Sequence, residues 1–117
     1  MEQQKKLALW GRLDGPAVAP VALIQLAQTY RQAVRLAWAY KRVHYATHSQ
    51  LAGETGMPAQ HVTDYLNKDD APRRRDLPAH RIPAFEAFVG NTIVSQWLAL
   101  QAQLTVLEEL QASKLAA

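Results

Sequence analysis

The stretch that most constrains the fold covers residues 48–67 and reads HSQLAGETGMPAQHVTDYLN. A small residue, Ala52, is followed by Gly56 four positions later, by Val62 after six more and by Tyr65 after a further three. This spacing is typical of a helix-turn-helix, in which two short helices meet at a steep angle across a tight turn. The closest approach of their backbones requires a small side chain, which Ala52 supplies. The spacing therefore predicts two helices joined at Gly56.

Capping residues give the limits of these two helices. Thr47 and Gln50 have the spacing of a capping box, which satisfies the first amides of a helix. Gly56 suits the residue after a helix because glycine reaches positive φ without steric cost, and Pro58 has no amide to lose at the start of the next helix. The predicted helices cover about 48–55 and 58–66.

The rest of the chain is also predicted to be helical. Residues 21–45 contain no Gly or Pro, and their apolar side chains recur at intervals of three and four, which predicts one long amphipathic helix. A further helix has Pro83 near its start and ends at Gly90, and another follows it. Residues 1–20 lack periodicity and contain two Gly and two Pro, so a flexible N-terminal arm is expected there. The prediction is an all-α fold without strands, with the domain proper over residues 21–117.

Length and composition limit the class of protein. A chain of 117 residues is the size of one domain, and the absence of cysteine excludes disulfides and thiolate metal sites. The apolar run near the N-terminus is too short for a secretory signal, and no apolar segment is long enough to span a bilayer. A soluble, cytoplasmic protein without a membrane partner is expected.

Charge is distributed unevenly along the chain. Residues 31–81 contain nine Arg or Lys and five Asp or Glu, a net charge of +4, whereas residues 82–117 contain one Lys and three Glu, a net charge of −2. This asymmetry is expected when one part of a protein meets phosphates and another part meets protein. The predicted helix-turn-helix lies within the basic part, which favours duplex DNA as the partner.

The second helix of the motif carries the side chains predicted to read bases. Gln60 and Thr63 are the strongest candidates, because Gln can pair with adenine, Thr can contact the methyl group of thymine, and the first turns of a reading helix lie closest to the bases. Asp64 can accept from cytosine or repel phosphate, and thereby act against wrong sequences. The predicted base-reading residues are Ala59, Gln60, Thr63, Asp64 and Asn67.

Three consecutive arginines, Arg73, Arg74 and Arg75, follow in the exposed loop after this helix, and we call them the arginine segment. Guanidinium groups beside a groove-entering helix suit phosphate oxygens and confer salt-dependent affinity. The alternative for this run is a solvated loop of like charge, and the alternative for the motif over residues 48–67 is a plain helical hairpin with a Gly turn. Weaker candidates for phosphate binding are Lys41, Arg42, Lys68 and Arg81.

The last predicted helix has an apolar stripe at alternating spacings of four and three, which approximates a heptad seam. Such a stripe must be buried, and a twofold mate would bury it. Alternatively the stripe packs against the long helix over 21–45, or its near half lies within the protomer and its far half in a dimer seam. The predicted dimer-interface residues are Ile93, Trp97, Leu100, Leu104, Leu107 and Leu110.

Catalytic and metal chemistry are not expected. His44 and His48 have a metal-binding spacing, but the predicted helix start at Thr47 separates them and no third ligand is apparent. The chain has no Gly-rich phosphate loop, no nucleophile motif and no pair of carboxylates on an apolar background. We therefore predict no enzyme activity, no metal, no cofactor and no small-molecule substrate.

The run SQLAGETGM, then VTDYLNKDDAPRRRDLPAHRIPAFEAFVGN, then QWLA resembles the lambda-repressor-like regulators of phages, especially the small CII-type proteins, over about residues 47–100. The resemblance implies a five-helix DNA-binding domain, here with a long N-terminal helix and a C-terminal oligomerisation helix. It also implies a homodimer or higher oligomer that regulates transcription from phage or prophage promoters. The two reading helices of a dimer would suit a near-palindromic operator. The alternatives are a helix-turn-helix adaptor that binds a host or phage protein, and a structural phage component.

Overall fold

A helix-turn-helix is built into a predominantly helical fold. The computed structural model describes residues 10–12, 15–102 and 106–116. A 3₁₀ turn at Ala79–Arg81 precedes the fifth helix. The strands are β1, Trp10–Arg12, and β2, Gly15–Val18; the helices are α1, Val21–Ile24, α2, Tyr30–Ala39, α3, His48–Thr55, α4, Ala59–Leu66, α5, Ile82–Val89, α6, Ile93–Ala102, and α7, Val106–Ala116.

Helices α3 and α4 confirm the predicted motif. The Thr47 side chain accepts a hydrogen bond from the Gln50 amide, and the Gln50 side chain accepts one from the Thr47 amide, which completes the capping box. Gly56 ends α3 with φ of 76°, in the left-handed region expected of a glycine cap. Pro58 is the N-cap of α4, so this helix begins one residue later than predicted.

The core lies between α2 and the other helices, because α2 packs against α4, α5 and α6 while α3 packs against α4 and α5. Each helix from α1 to α6 contributes buried apolar side chains, so the motif is part of the main core and not an appendage. The largest fully buried apolar side chains include Ile24, Val34, Leu51, Val62, Tyr65, Phe85, Val89, Ile93 and Val94.

The single long helix predicted over residues 21–45 is wrong, because the chain breaks between α1 and α2. The Thr29 side chain accepts a hydrogen bond from the Gln32 amide, and the Gln32 side chain accepts one from the Gln28 amide, so a new helix begins at Tyr30. The carbonyl of Ala27 accepts a hydrogen bond from the indole of Trp97 instead of continuing a helix.

The flexible arm predicted over residues 1–20 does not extend to residues 15–20, and the prediction of no strand is also wrong. Strand β2 pairs antiparallel with β1. The Ala17 amide donates to the carbonyl of Gly90 at 2.8 Å, and the side-chain amide of Gln96 bonds both the amide and the carbonyl of Ala19. Backbone pairing therefore attaches this segment to the junction of α5 and α6. Residues 1–9 and 13–14 lie outside the described residues.

Helix α5 matches its prediction, with a proline in its first turn and Gly90 as its left-handed cap at φ of 80°. The last predicted helix corresponds to α6 and α7, and residues 103–105 between them lie outside the described residues. Within the described ranges, no helix combines the length and the apolar character needed to cross a bilayer.

Candidate nucleic-acid interface

The outward face of α4 presents three of the five predicted base-reading residues. Ala59, Gln60 and Thr63 are exposed, and we call them the reading face. The Thr63 hydroxyl donates to the Ala59 carbonyl within the helix at 3.2 Å. The Gln60 side chain makes no hydrogen bond to any residue that the structure describes, so its amide is available to a ligand.

The opposite face and the C-terminal end of α4 are held firmly. Val62, Tyr65 and Leu66 are buried in the core. One guanidinium nitrogen of Arg31, on α2, donates to the carbonyls of Asp64 and Asn67 at 2.6 and 3.1 Å. These carbonyls belong to the end of α4, where a helix lacks partners and where its dipole favours a cation. Helix α2 therefore anchors α4 at the end away from Ala59.

A second arginine of α2 extends this anchor. Arg35 donates to the carbonyl of Asn67 at 3.1 Å and to the carboxylate of Asp70 at 2.7 Å. Arg31 also contacts Asp70 at 2.8 Å and Asp76 at 3.3 Å. Two neighbouring side chains on α2 thus bind the end of α4 and the loop that follows it.

Asp64 and Asn67 make contacts within the protein that compete with the base-reading role predicted for them. The Asp64 carboxylate accepts from Arg74 at 3.1 Å and from Arg75 at 2.8 Å, one oxygen to each arginine. The side-chain oxygen of Asn67 accepts from the Asp69 amide at 2.9 Å and so organises the loop. The Asp64 carboxylate and the Asn67 side-chain oxygen are thus engaged within the protein.

These contacts keep the carboxylates charged. The hydrogen bond from Arg74, assisted by the one from Arg75, lowers the pKa of the Asp64 carboxyl. Hydrogen bonds from Arg35 and then Arg31 lower the pKa of Asp70 to about 2. Arginine stays protonated at any ordinary pH, so both carboxylates face permanent cations at neutral pH.

The arginine segment is only partly available for phosphate. The Arg74 side chain is 19% exposed because it lies against Asp64, whereas that of Arg75 is 53% exposed. Arg73 is 72% exposed, and its nearest carboxylate is that of Asp69 at 3.6 Å. Arg73 is therefore the segment's most accessible cation, and Arg74 is the least accessible.

The weaker phosphate candidates do not form one surface. Lys68 is exposed directly after α4, and Arg81 is half-buried at the start of α5. The Nζ of Lys41 lies 4.6 Å from the ring centroid of Trp38. Lys41 and Arg42 line a cleft of about 590 Å³ between α3, α5 and the loop before α3, to which α4 contributes no residue. Lys41 and Arg42 thus lie at a cleft that the reading helix does not line.

The dimer-interface prediction is wrong for two of its residues. Ile93 is fully buried and Trp97 is 9% exposed, because both pack within the protomer core. Leu100 and Leu110 are 37% and 56% exposed and stay available to a partner. Leu104 and the side chain of Leu107 lie outside the described residues. The start of the stripe, at Ile93 and Trp97, therefore packs inside the protomer, whereas Leu110 near its end is exposed.

His44 and His48 pack against aromatic rings. The ring of His48 lies 5.3 Å from that of Trp38, and the ring of His44 lies 5.5 Å from that of Tyr45. Among the residues that the structure describes, no group of three His, Cys, Asp or Glu side chains is placed to hold a metal ion.

Sequence reasoning missed the anchoring role of Arg31 and Arg35, which it counted only as positive charge. Their spacing of four residues places both on one face of α2. Their partners, however, are more than thirty residues away in sequence, so no local pattern identifies them.

Comparison with known proteins gives no family for this chain. No protein-family model matches it, and comparison with curated proteins and with solved structures gave no match.

Proposed function

We propose that this protein is a transcriptional regulator that binds duplex DNA sequence-specifically, as a homodimer, through the reading face of α4. The observation that carries the proposal is the contrast between the two ends of α4. The end that holds Ala59, Gln60 and Thr63 is exposed, whereas Arg31 and Arg35 fix the other end. A helix mounted in this way suits insertion into a major groove, because base reading requires a rigid support.

Each residue of the reading face has a distinct role in this proposal. Gln60 pairs through its amide with the N6 and N7 edge of an adenine, and Ala59 and Thr63 contact thymine methyl groups. Lys68 and Arg73, both exposed, bind phosphates and set the register without specifying sequence. In a dimer, two copies of α4 would enter successive major grooves about 34 Å apart on a near-palindromic operator. Phage or prophage promoters are the expected targets, from the CII-type resemblance.

Selection of binding sites from a random duplex library tests base reading. The full-length protein is expected to enrich a near-palindromic site. Gln60→Ala should lower discrimination at one position of each half-site by about 1–3 kcal/mol and leave affinity for random duplex nearly unchanged. Gln101→Ala, on the exposed part of α6, is the matched control and should leave the site unchanged. Equal losses on selected and random duplex would exclude Gln60 as a base reader.

One observation favours a different function, a helix-turn-helix adaptor for another protein. Asp64 pairs with two of the three loop arginines, which reduces the positive charge offered to phosphate. The salt dependence of binding to random duplex separates the two functions. A DNA-binding protein loses affinity steeply as salt rises, whereas an adaptor binds duplex weakly at every salt concentration.

The homodimer has its own test on α7, where Leu110 is 56% exposed and Leu115 is 87% exposed. Exposed leucines on one helix favour a protein partner. Leu110→Glu is expected to convert dimers to monomers in sedimentation equilibrium, because a carboxylate would be buried in the seam. Ala112→Glu adds the same charge at an exposed position about 200° around α7 from Leu110 and should leave the dimer intact. Dissociation by both variants to the same extent would count against a seam at Leu110.

A further inference from the structure

We propose that Asp64 acts as an internal substitute for DNA phosphate, which occupies Arg74 and Arg75 and thereby weakens sequence-independent binding to duplex. The inference rests on the proposed DNA-binding function and concerns how that same site is regulated. In this proposal the main role of Asp64 is to compete with DNA phosphate for two cations. It does not read a base, and it does not act chiefly by repelling phosphate.

The geometry supports competition because Asp64 belongs to α4 itself. Its carboxylate lies 3.1 Å from one nitrogen of Arg74 and 2.8 Å from one nitrogen of Arg75. Both arginines are therefore held beside the helix that carries the reading face. A duplex bound to that face would bring phosphates near the same guanidinium groups, since phosphates flank the major groove.

The pairing leaves part of each guanidinium unsatisfied. The Nε of Arg74 is buried and has no hydrogen-bond partner among the described residues. The second terminal nitrogen of Arg74 reaches only to 3.6 Å from Asp69. Arg75 uses one nitrogen and is 53% exposed. A phosphate that engages an arginine through two nitrogens would make a better-matched pair than this carboxylate makes.

The charge balance gives the expected size of the effect. Two arginines with Asp64 present a net charge of +1, and the same arginines without that carboxylate present +2. Each additional phosphate neutralised on duplex DNA steepens the salt dependence of binding by about 0.9 in logarithmic slope. Removing the Asp64 charge should therefore steepen the slope by about one unit.

The test compares Asp64→Asn with Asp76→Asn in the full chain, bound to a random 20-base-pair duplex across a salt series. Asp76→Asn removes the same charge nearby, but Asp76 contacts Arg31 and neither Arg74 nor Arg75. Asp64→Asn is expected to tighten binding about tenfold at low salt and to steepen the slope by about one unit. Asp76→Asn should give less than half of each change. Equal changes from the two variants, or none from Asp64→Asn, would overturn the proposal.

A combined variant shows whether the arginines carry the gain. Replacing Arg74 and Arg75 by Gln together with Asp64→Asn should abolish the tighter binding. A gain that persists without both arginines contradicts the proposal. If the unaltered protein binds no duplex at any salt concentration, the DNA-binding function itself is refuted.

A further comparison keeps the proposal testable if Asp64→Asn does not fold, as circular dichroism would show. With Asp64 in place, Arg74→Gln should flatten the salt slope by less than half as much as Arg73→Gln does, because Asp64 already occupies Arg74 while Arg73 is 72% exposed. Equal flattening by the two variants would show that Asp64 does not withhold Arg74 from phosphate.

Discussion

At the scale of single residues, Asn91 joins two helix ends. Its side-chain amide donates to the carbonyls of Ala37 and Tyr40 at 3.0 and 3.3 Å, and its oxygen accepts from the Ile93 amide at 3.2 Å. Asn91→Ala removes these three hydrogen bonds, two of them buried, and should cost about 2–4 kcal/mol of unfolding free energy. Urea denaturation measures the loss, and exposed Gln101→Ala should stay within about 0.5 kcal/mol of the unaltered chain. A cost for Asn91→Ala as small as that of Gln101→Ala would contradict the capping role.

The exposure of the α4 side chains was only partly predictable from the sequence. Helical periodicity placed Gln60, Thr63 and Asp64 on the outward side of α4, and the first two are exposed. Asp64 is not, because its partners Arg74 and Arg75 follow ten and eleven residues later and return to α4 by way of the loop. Periodicity describes the direction of a side chain from its own helix. It does not describe which side chains a loop brings back.

At the scale of elements, alanine substitutions at two glycines of the helix-turn-helix should change stability in opposite directions. Gly56 has φ of 76°, so Gly56→Ala should destabilise the chain by about 1 kcal/mol through backbone strain, although a Cβ there would meet no atom within 4 Å. Gly53 lies within α3 with equally open space, so Gly53→Ala should stabilise by roughly 0.5–1 kcal/mol through helix propensity. Thermal unfolding measures both changes. The same sign for both would show that backbone conformation at Gly56 does not limit the turn.

Capping signals explain which element boundaries were predictable. Thr47 with Gln50 predicted the start of α3, and the same T-x-x-Q pattern at Thr29 and Gln32 marks the start of α2. The break before Tyr30 was therefore present in the sequence, but the absence of Gly and Pro outweighed it. The strand over Gly15–Val18 has no such capping signal. It pairs with β1, a few residues earlier in the chain, and its Ala17 amide also donates to the distant carbonyl of Gly90, which no local pattern identifies.

At the scale of the whole molecule, long-range ion pairs connect α2 to the loop after α4. Arg31 and Arg35 bind both the end of α4 and Asp70, so the orientation of the reading face depends on residues outside the helix-turn-helix. If the proposed DNA-binding function holds, changes in α2 should therefore alter DNA binding without any contact to DNA. The sequence predicted the positive charge of this region, but only the fold shows that much of it is neutralised internally.

This network also makes the free energy of unfolding depend on pH in the acidic range. The pKa of Asp70 is lowered from 3.8 to about 2 by Arg35 and Arg31, so the folded state favours the charged carboxylate. Its contribution to stability is complete above pH 4 and is lost as pH falls from there toward 2. In Asp70→Asn that contribution is absent at every pH. The unfolding free energy of the unaltered chain should therefore decline more steeply below pH 4 than that of the variant, in urea denaturation at successive pH values. Parallel declines would mean that Asp70 gains nothing from its arginines on folding, and the anchor of α4 would then rest on the carbonyl contacts of Arg31 and Arg35 alone.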